Sequence, residues 1–145
     1  MYRLQRRDPD GERVLREGAA KLASSAELQH ALGLVLVREK RPGEALAPLE
    51  RAATLAPDDV RYAYVYAVAL GAAGRLNEAV NTLERAHDRH PEDRDVLAAL
   101  ATMNRSRGDV AHALQWARAL VDVAPDDAGA RRMLAQMEAA AAAQQ

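Results

Sequence analysis

Residues 57–93 read PDDVRYAYVYAVALGAAGRLNEAVNTLERAHDRHPED, a stretch that opens on a proline followed by two acidic residues and closes on the same signature 34 positions later. Pro125-Asp126-Asp127 repeats it after another 34 residues. Four further columns keep that phase: Gly33, Ala67 and Ala101; Ala45, Ala79 and Ala113; Leu49, Leu83 and Ala117; Ala52, Ala86 and Leu120. A period of this length predicts a repeat array, in which each unit is one supersecondary element that buries its apolar face against its neighbours.

Inside each unit the apolar residues recur at helical spacing, as in Leu28, Ala31, Leu32, Val35 and Leu36, or Leu76, Ala79, Val80, Leu83 and Ala86. Breakers fall near the midpoint: Pro42-Gly43 in the first unit, Gly74 in the second and Gly108 in the third. Each unit is therefore expected to be two helices. The proline ends the second helix, and an acidic residue after it caps the next first helix by accepting from its unpaired amides. The small columns predict close approach: Gly33, Ala67 and Ala101 on first helices, Ala45, Ala79 and Ala113 on second helices. Pro48 lies inside a second helix, where it removes one backbone bond and crowds the carbonyl of Glu44; near the first turn it is expected to bend the helix rather than end it.

Composition agrees with a packed domain built from small aliphatic residues: 49% of residues are hydrophobic, only 3% are aromatic, and Phe is absent. A formal net charge of −1 supplies no field that would attract nucleic acid or an anionic membrane. No Lys/Arg-rich block goes beyond short runs such as the Arg6-Arg7 pair. Cysteine is absent, which excludes disulfides, thiolate metal sites and covalent haem attachment. No apolar run approaches the roughly 18 residues of a membrane-spanning helix, and no membrane partner is expected.

Leu32-Gly33, Leu36, Ala45, Leu49, Ala52 and Pro57 stand at the spacing of the tetratricopeptide-repeat (TPR) consensus, with Gln29 where that motif often has Trp. The chain resembles this family over residues 26–59, 60–93 and 94–127, with 128–145 as a C-terminal capping helix and tail. The resemblance implies an all-α, right-handed superhelical solenoid of antiparallel helix pairs. The third unit departs most, with Asn104 and Ala117 at positions normally large; Trp116, next to Ala117, is expected to fill that gap. Counting backwards places Tyr2 in phase with Leu36 and Leu15 in phase with Leu49. Residues 1–25 then read as a truncated N-terminal repeat, mainly its second helix, and the chain as a fragment of a larger bacterial protein. The apolar face of that helix, with Val14, Leu15 and Leu22, is expected to be partly uncovered and to promote weak homo-oligomer formation.

A stack of two-helix units turns its first helices toward a concave groove. By resemblance to the family, the groove-facing positions are Glu27, His30, Leu34, Val37 and Arg38; Arg61, Tyr64, Val68 and Gly71; Asp95, Ala98, Thr102 and Arg105; and Arg132 and Gln136. Among them His30, Leu34, Val37, Arg38, Arg61, Tyr64, Val68, Arg105 and Arg132 form the candidate partner site, an apolar strip flanked by arginines. That composition suits an extended peptide or helix with a few apolar anchors and some acidic character. Tyr62 is expected near the edge of its helix, Tyr64 toward the groove and Tyr66 toward the packing face. The carboxylate clamp that grips the EEVD tail of heat-shock chaperones is absent, its positions holding His30, Leu34, Val65, Asp95 and Ala99.

Enzyme chemistry finds no foothold. His87 and His90, three apart, lack the further ligands a zinc site needs. His30 and His112 have no nucleophile or carboxylate at motif spacing, and no phosphate-binding glycine loop is present. No catalytic residue, metal or cofactor is therefore expected. Helical repeats that read single-stranded RNA use a basic groove, which a near-neutral chain does not offer. The expected function is a protein- or peptide-binding scaffold. The alternative is a structural or self-association segment of a larger exported protein, because LQHALGLVLVR and RYAYVYAVAL also resemble TPR tails of bacterial multihaem cytochromes and their relatives; an RNA-binding repeat ranks below both. The location would be cytoplasmic for a bare adaptor and periplasmic for a piece of an exported parent.

Overall fold

The computed structural model describes residues 9–21 and 23–144. Among them the secondary structure is helical throughout: α1 (Pro9–Lys21), α2 (Ala26–Arg38), α3 (Pro42–Leu55), α4 (Val60–Ala72), α5 (Leu76–Arg89), α6 (Arg94–Ser106), α7 (Val110–Val123) and α8 (Ala128–Ala143). First-type helices start at 26, 60, 94 and 128, and second-type helices at 42, 76 and 110. The 34-residue period of the sequence is thus the period of the backbone. Tyr2 and Leu22, used above to extend the phase and the uncovered face, lie outside the described residues.

The turns repeat as faithfully as the helices. Asp59, Asp93 and Asp127, each the second acidic residue after its proline, sit at the N-caps of α4, α6 and α8, and Ser25 does so for α2. Their side chains accept from Arg61 N (3.1 Å), Val96 N (3.0 Å), Gly129 N (2.8 Å) and Leu28 N (3.2 Å). Each removes one of the donors a helix start leaves unpaired. The cap amide also bonds back across the proline, Asp59 N to Ala56 O, Asp93 N to His90 O and Asp127 N to Ala124 O.

At the midpoint of each pair the chain reverses through one residue of positive φ: Lys40 (62°), Gly74 (82°) and Gly108 (84°). This corrects one expectation. Pro42-Gly43, read as the breaker of the first pair, belongs to α3, with Pro42 in the first turn where a missing N–H costs nothing. Lys40 does there what glycine does in the next two turns, and Arg41 N bonds to Leu36 O at 2.9 Å to close the turn as Asp109 N does to Asn104 O at 2.8 Å. Pro48 is buried inside α3, which runs unbroken past it.

The chain divides into two compact units between Gly74 and Arg75. In the first, α1 packs on α2, α2 on α3 and α3 on α4, around Leu32, Leu36, Ala45, Leu49 and Ala69. Leu15 of α1 packs against this core and Val14 stays 62% exposed, so the face read as uncovered is covered at one of its two described apolar positions. Gly33 lies under Leu49 so closely that a β-carbon there would overlap the leucine Cγ and Cδ2. Arg41 ties the α2–α3 turn to α1, donating to Glu12 (2.5 Å) as well as to Glu39 and Glu44.

In the second unit α5 packs on α6, α6 on α7 and α7 on α8. Ala101, Ala113, Ala117 and Met137 form one cluster, and Leu97, Leu120 and Ala130 another; Trp116 packs against both and sets its ring edge-on to His87 at 4.8 Å. The indole thus packs against the cluster that holds Ala117, the counterpart of Leu49 and Leu83. Asn104, fully buried, donates to Leu100 O (2.8 Å) and accepts from both Nε and Nη2 of Arg107, whose Nη1 reaches Asn77 on α5. A buried amide is tolerated there because its polar atoms are paired.

Candidate partner-binding site

Seven of the nine candidate residues fall in the first unit, on α2 and α4. His30, Leu34, Val37 and Arg38 recur at helical spacing on α2, and Arg61, Tyr64 and Val68 do the same on α4. The two helices meet where the rings of His30 and Tyr62 lie 4.6 Å apart, tilted by 41°. Beyond this contact Leu34, Val37 and Val68 are 42%, 40% and 42% exposed, three of the five large apolar side chains left open among the described residues. Arg38 is exposed and has no ion-pair partner among the described residues.

His30 and Arg61 are engaged within the fold. Arg61 holds Asp59 through Nε (3.3 Å) and Nη2 (3.0 Å), and its guanidinium lies 5.5 Å over the Tyr62 ring. Burial, and then the nearby Arg61 cation, lower the pKa of His30, with Asp59 opposing. The His30 Nδ1 is buried without a partner. His30 is therefore a neutral packing group at the foot of the exposed strip. Tyr62, expected near an edge, is buried, with the His30 ring and the Arg61 guanidinium against its ring; Tyr66 packs on the core and Tyr64 is half-buried.

In the second unit Arg105 and Arg132 lie on α6 and α8, both exposed and without an ion pair among the described residues. Arg105 lines a cleft of about 450 Å³ together with Thr102, Ser106, Met133, Gln136 and Met137. Thr102, Arg105 and Gln136 are groove positions by resemblance. Ser106, Met133 and Met137 were missed, although methionines four apart on an otherwise alanine-rich helix were the signal to find. Arg132 stands one turn from Gln136 without lining the cleft.

Among the described residues no group of three or more His, Cys, Asp or Glu could hold a metal ion, and no helix is long and apolar enough to cross a membrane.

The family model described as tetratricopeptide repeat matches residues 36–103 and 70–137. Over 64 residues the chain is 42% identical to the TPR repeat-containing thioredoxin TTL4 of Arabidopsis thaliana, a stretch covering 44% of this chain and 9% of that relative's length. Among solved structures, MamA superposes with a TM-score of 0.82 at 18% identity, over 93% of this chain and 80% of the other. YrrB, a TPR protein with an unusual peptide-binding site, does so with a TM-score of 0.75 at 22% identity, over 83% and 62%. At these identities the structures are alike in fold.

Proposed function

The chain belongs to the tetratricopeptide-repeat family, and from that premise we propose that it is a protein- or peptide-binding scaffold module whose first-type helices receive the partner. We take the repeats as 26–59, 60–93 and 94–127, with α1 a second-type helix before them and 128–145 a cap. The carrying observation is the exposure of Leu34, Val37 and Val68, with exposed Arg38 next to Val37 and without an ion pair among the described residues. Exposed apolar side chains recurring on the first-type helices α2 and α4 are the kind of feature that marks an interaction surface. Half-buried Tyr64 adds an amphipathic anchor of the kind that dominates binding energy. Members of this family generally serve as non-enzymatic scaffolds, and the peptide-binding site of YrrB is a precedent on the same fold.

The test is affinity capture with the natural chain and with the double variant Tyr64→Ala/Arg38→Glu, matched for helicity by circular dichroism. The captured protein is then purified and its binding to both chains measured directly. Binding by the natural chain that the variant loses supports the reading. Recovery of the chain alone from both points to a self-association segment of a larger protein, and recovery of RNA to a nucleic-acid repeat; either outcome rejects the scaffold reading.

A further inference from the structure

The cleft between α6 and α8 has a chemistry that the first unit's strip lacks. Its floor is Met137, 3% exposed, and Met133, which packs into both clusters of the second unit. Its rim carries Thr102, Ser106 and Gln136, and its one charged lining residue is Arg105. Thioether side chains adapt to the shape of an incoming group. A volume of about 450 Å³ lies within the range of sites that enclose small ligands or single side chains.

The charge balance of the walls decides the occupant. Helix α6 bears one carboxylate, Asp95, and α8 one, Glu138; neither lines the cleft. Against them stand Arg94 and Arg105 on α6 and Arg131 and Arg132 on α8. Arg131 donates to Pro125 O (2.7 Å), whereas Arg105 and Arg132 have no ion-pair partner among the described residues. A guanidinium with free donors beside an apolar floor is complementary to a carboxylate next to an apolar side chain, because the planar head binds both carboxylate oxygens at once.

We propose that this cleft is the anchoring subsite of the module, and that it takes a peptide segment presenting a large apolar side chain directly beside an acidic residue. The apolar side chain seats on Met133 and Met137, the carboxylate pairs with Arg105, and Thr102 and Gln136 offer hydrogen bonds to the peptide backbone. This rests on the peptide-binding reading and narrows it to one partner chemistry and one place.

The test is selection of a random dodecapeptide phage library on the full chain, followed by retention of the enriched peptides on two exposed-site variants. Arg105→Glu reverses the charge; Thr102→Trp fills the cleft mouth. Methyl-¹³C methionine labelling of the natural chain reports occupancy directly. The expected result is enrichment of acidic residues adjacent to large apolar ones, retention reduced about tenfold or more in both variants, and shifted Met133 and Met137 methyl signals. Peptides without that pattern, or peptides indifferent to both variants yet lost on Leu34→Glu, overturn the anchoring subsite and leave the scaffold reading standing. A library from which nothing is enriched overturns both.

Discussion

Leu49 rests on the bare backbone of Gly33, occupying the place where a β-carbon at position 33 would stand. The corresponding positions of the third repeat, Ala101 and Ala117, share one buried cluster, so a small first-helix residue meets either a leucine or an alanine depending on the unit. Gly33→Ala is expected to destabilise the protein by about 1–3 kcal/mol through overpacking, measured by urea denaturation. With Leu49→Ala already in place, the same change should be neutral or stabilising by up to about 1 kcal/mol, alanine being the better helix former. Additive effects in this double-mutant cycle would refute the contact.

The left-handed Lys40 makes the opposite case, a residue too large for its backbone. The same turn position is glycine at 74 and 108. Lys40→Gly should stabilise by about 0.5–1 kcal/mol, since relief of left-handed strain outweighs the added freedom of the unfolded chain. A fall in the urea midpoint would show that the lysine side chain stabilises the turn by another route.

Acid should weaken the protein in two separate windows. Because burial and Arg61 lower the folded-state pKa of His30, the unfolded chain binds the extra proton first. Stability is then full above the unfolded imidazole value of about 6.5, declines as pH falls through it, and levels off below the folded value. Asp59 and Asp109 are held below the usual carboxylate range, Asp59 chiefly by its bond from Arg61 and Asp109 chiefly by the backbone amide of His112. Their contribution is present above about pH 4 and is lost as pH falls through their folded values. Urea midpoints between pH 7.5 and 5.5 should fall less for His30→Gln than for the natural chain; equal slopes would rule out the His30 contribution.

Helix α8 depends on its cap. Asp127 accepts from both Gly129 N (2.8 Å) and Ala130 N (3.2 Å). Asp127→Ala should cost about 0.5–2 kcal/mol, and hydrogen exchange should quicken along α8 before α6 responds. Uniform loss of protection across the second unit would mean that α8 does not open separately.

The helix pairs were legible because three independent signals shared one phase: the Pro-acidic turns, the small columns and the helical apolar spacing. The turn at Lys40 was not, since a left-handed lysine carries no letter that announces it, whereas Pro42-Gly43 looks like a breaker and is tolerated at a helix start. Around the candidate strip the letters identified exposed positions, Leu34, Val37 and Val68 among them. They did not reveal that Asp59 holds Arg61, or that His30 leans on Tyr62, because those contacts depend on how α2 meets α4. The methionine floor of the cleft was hidden for a similar reason: Met133 and Met137 become a floor only once α6 supplies Thr102 and Arg105 opposite them.

The most direct measurement is amide chemical-shift mapping of the ¹⁵N-labelled chain, titrated with the tightest peptide recovered from the library selection. Binding through the first-type helices predicts shifts concentrated on α2, α4, α6 and α8, at Leu34, Val37, Tyr64, Val68, Thr102 or Arg105, with α3, α5 and α7 little changed. Shifts confined to α3, α5 and α7 would place the partner on the other helices and contradict the account.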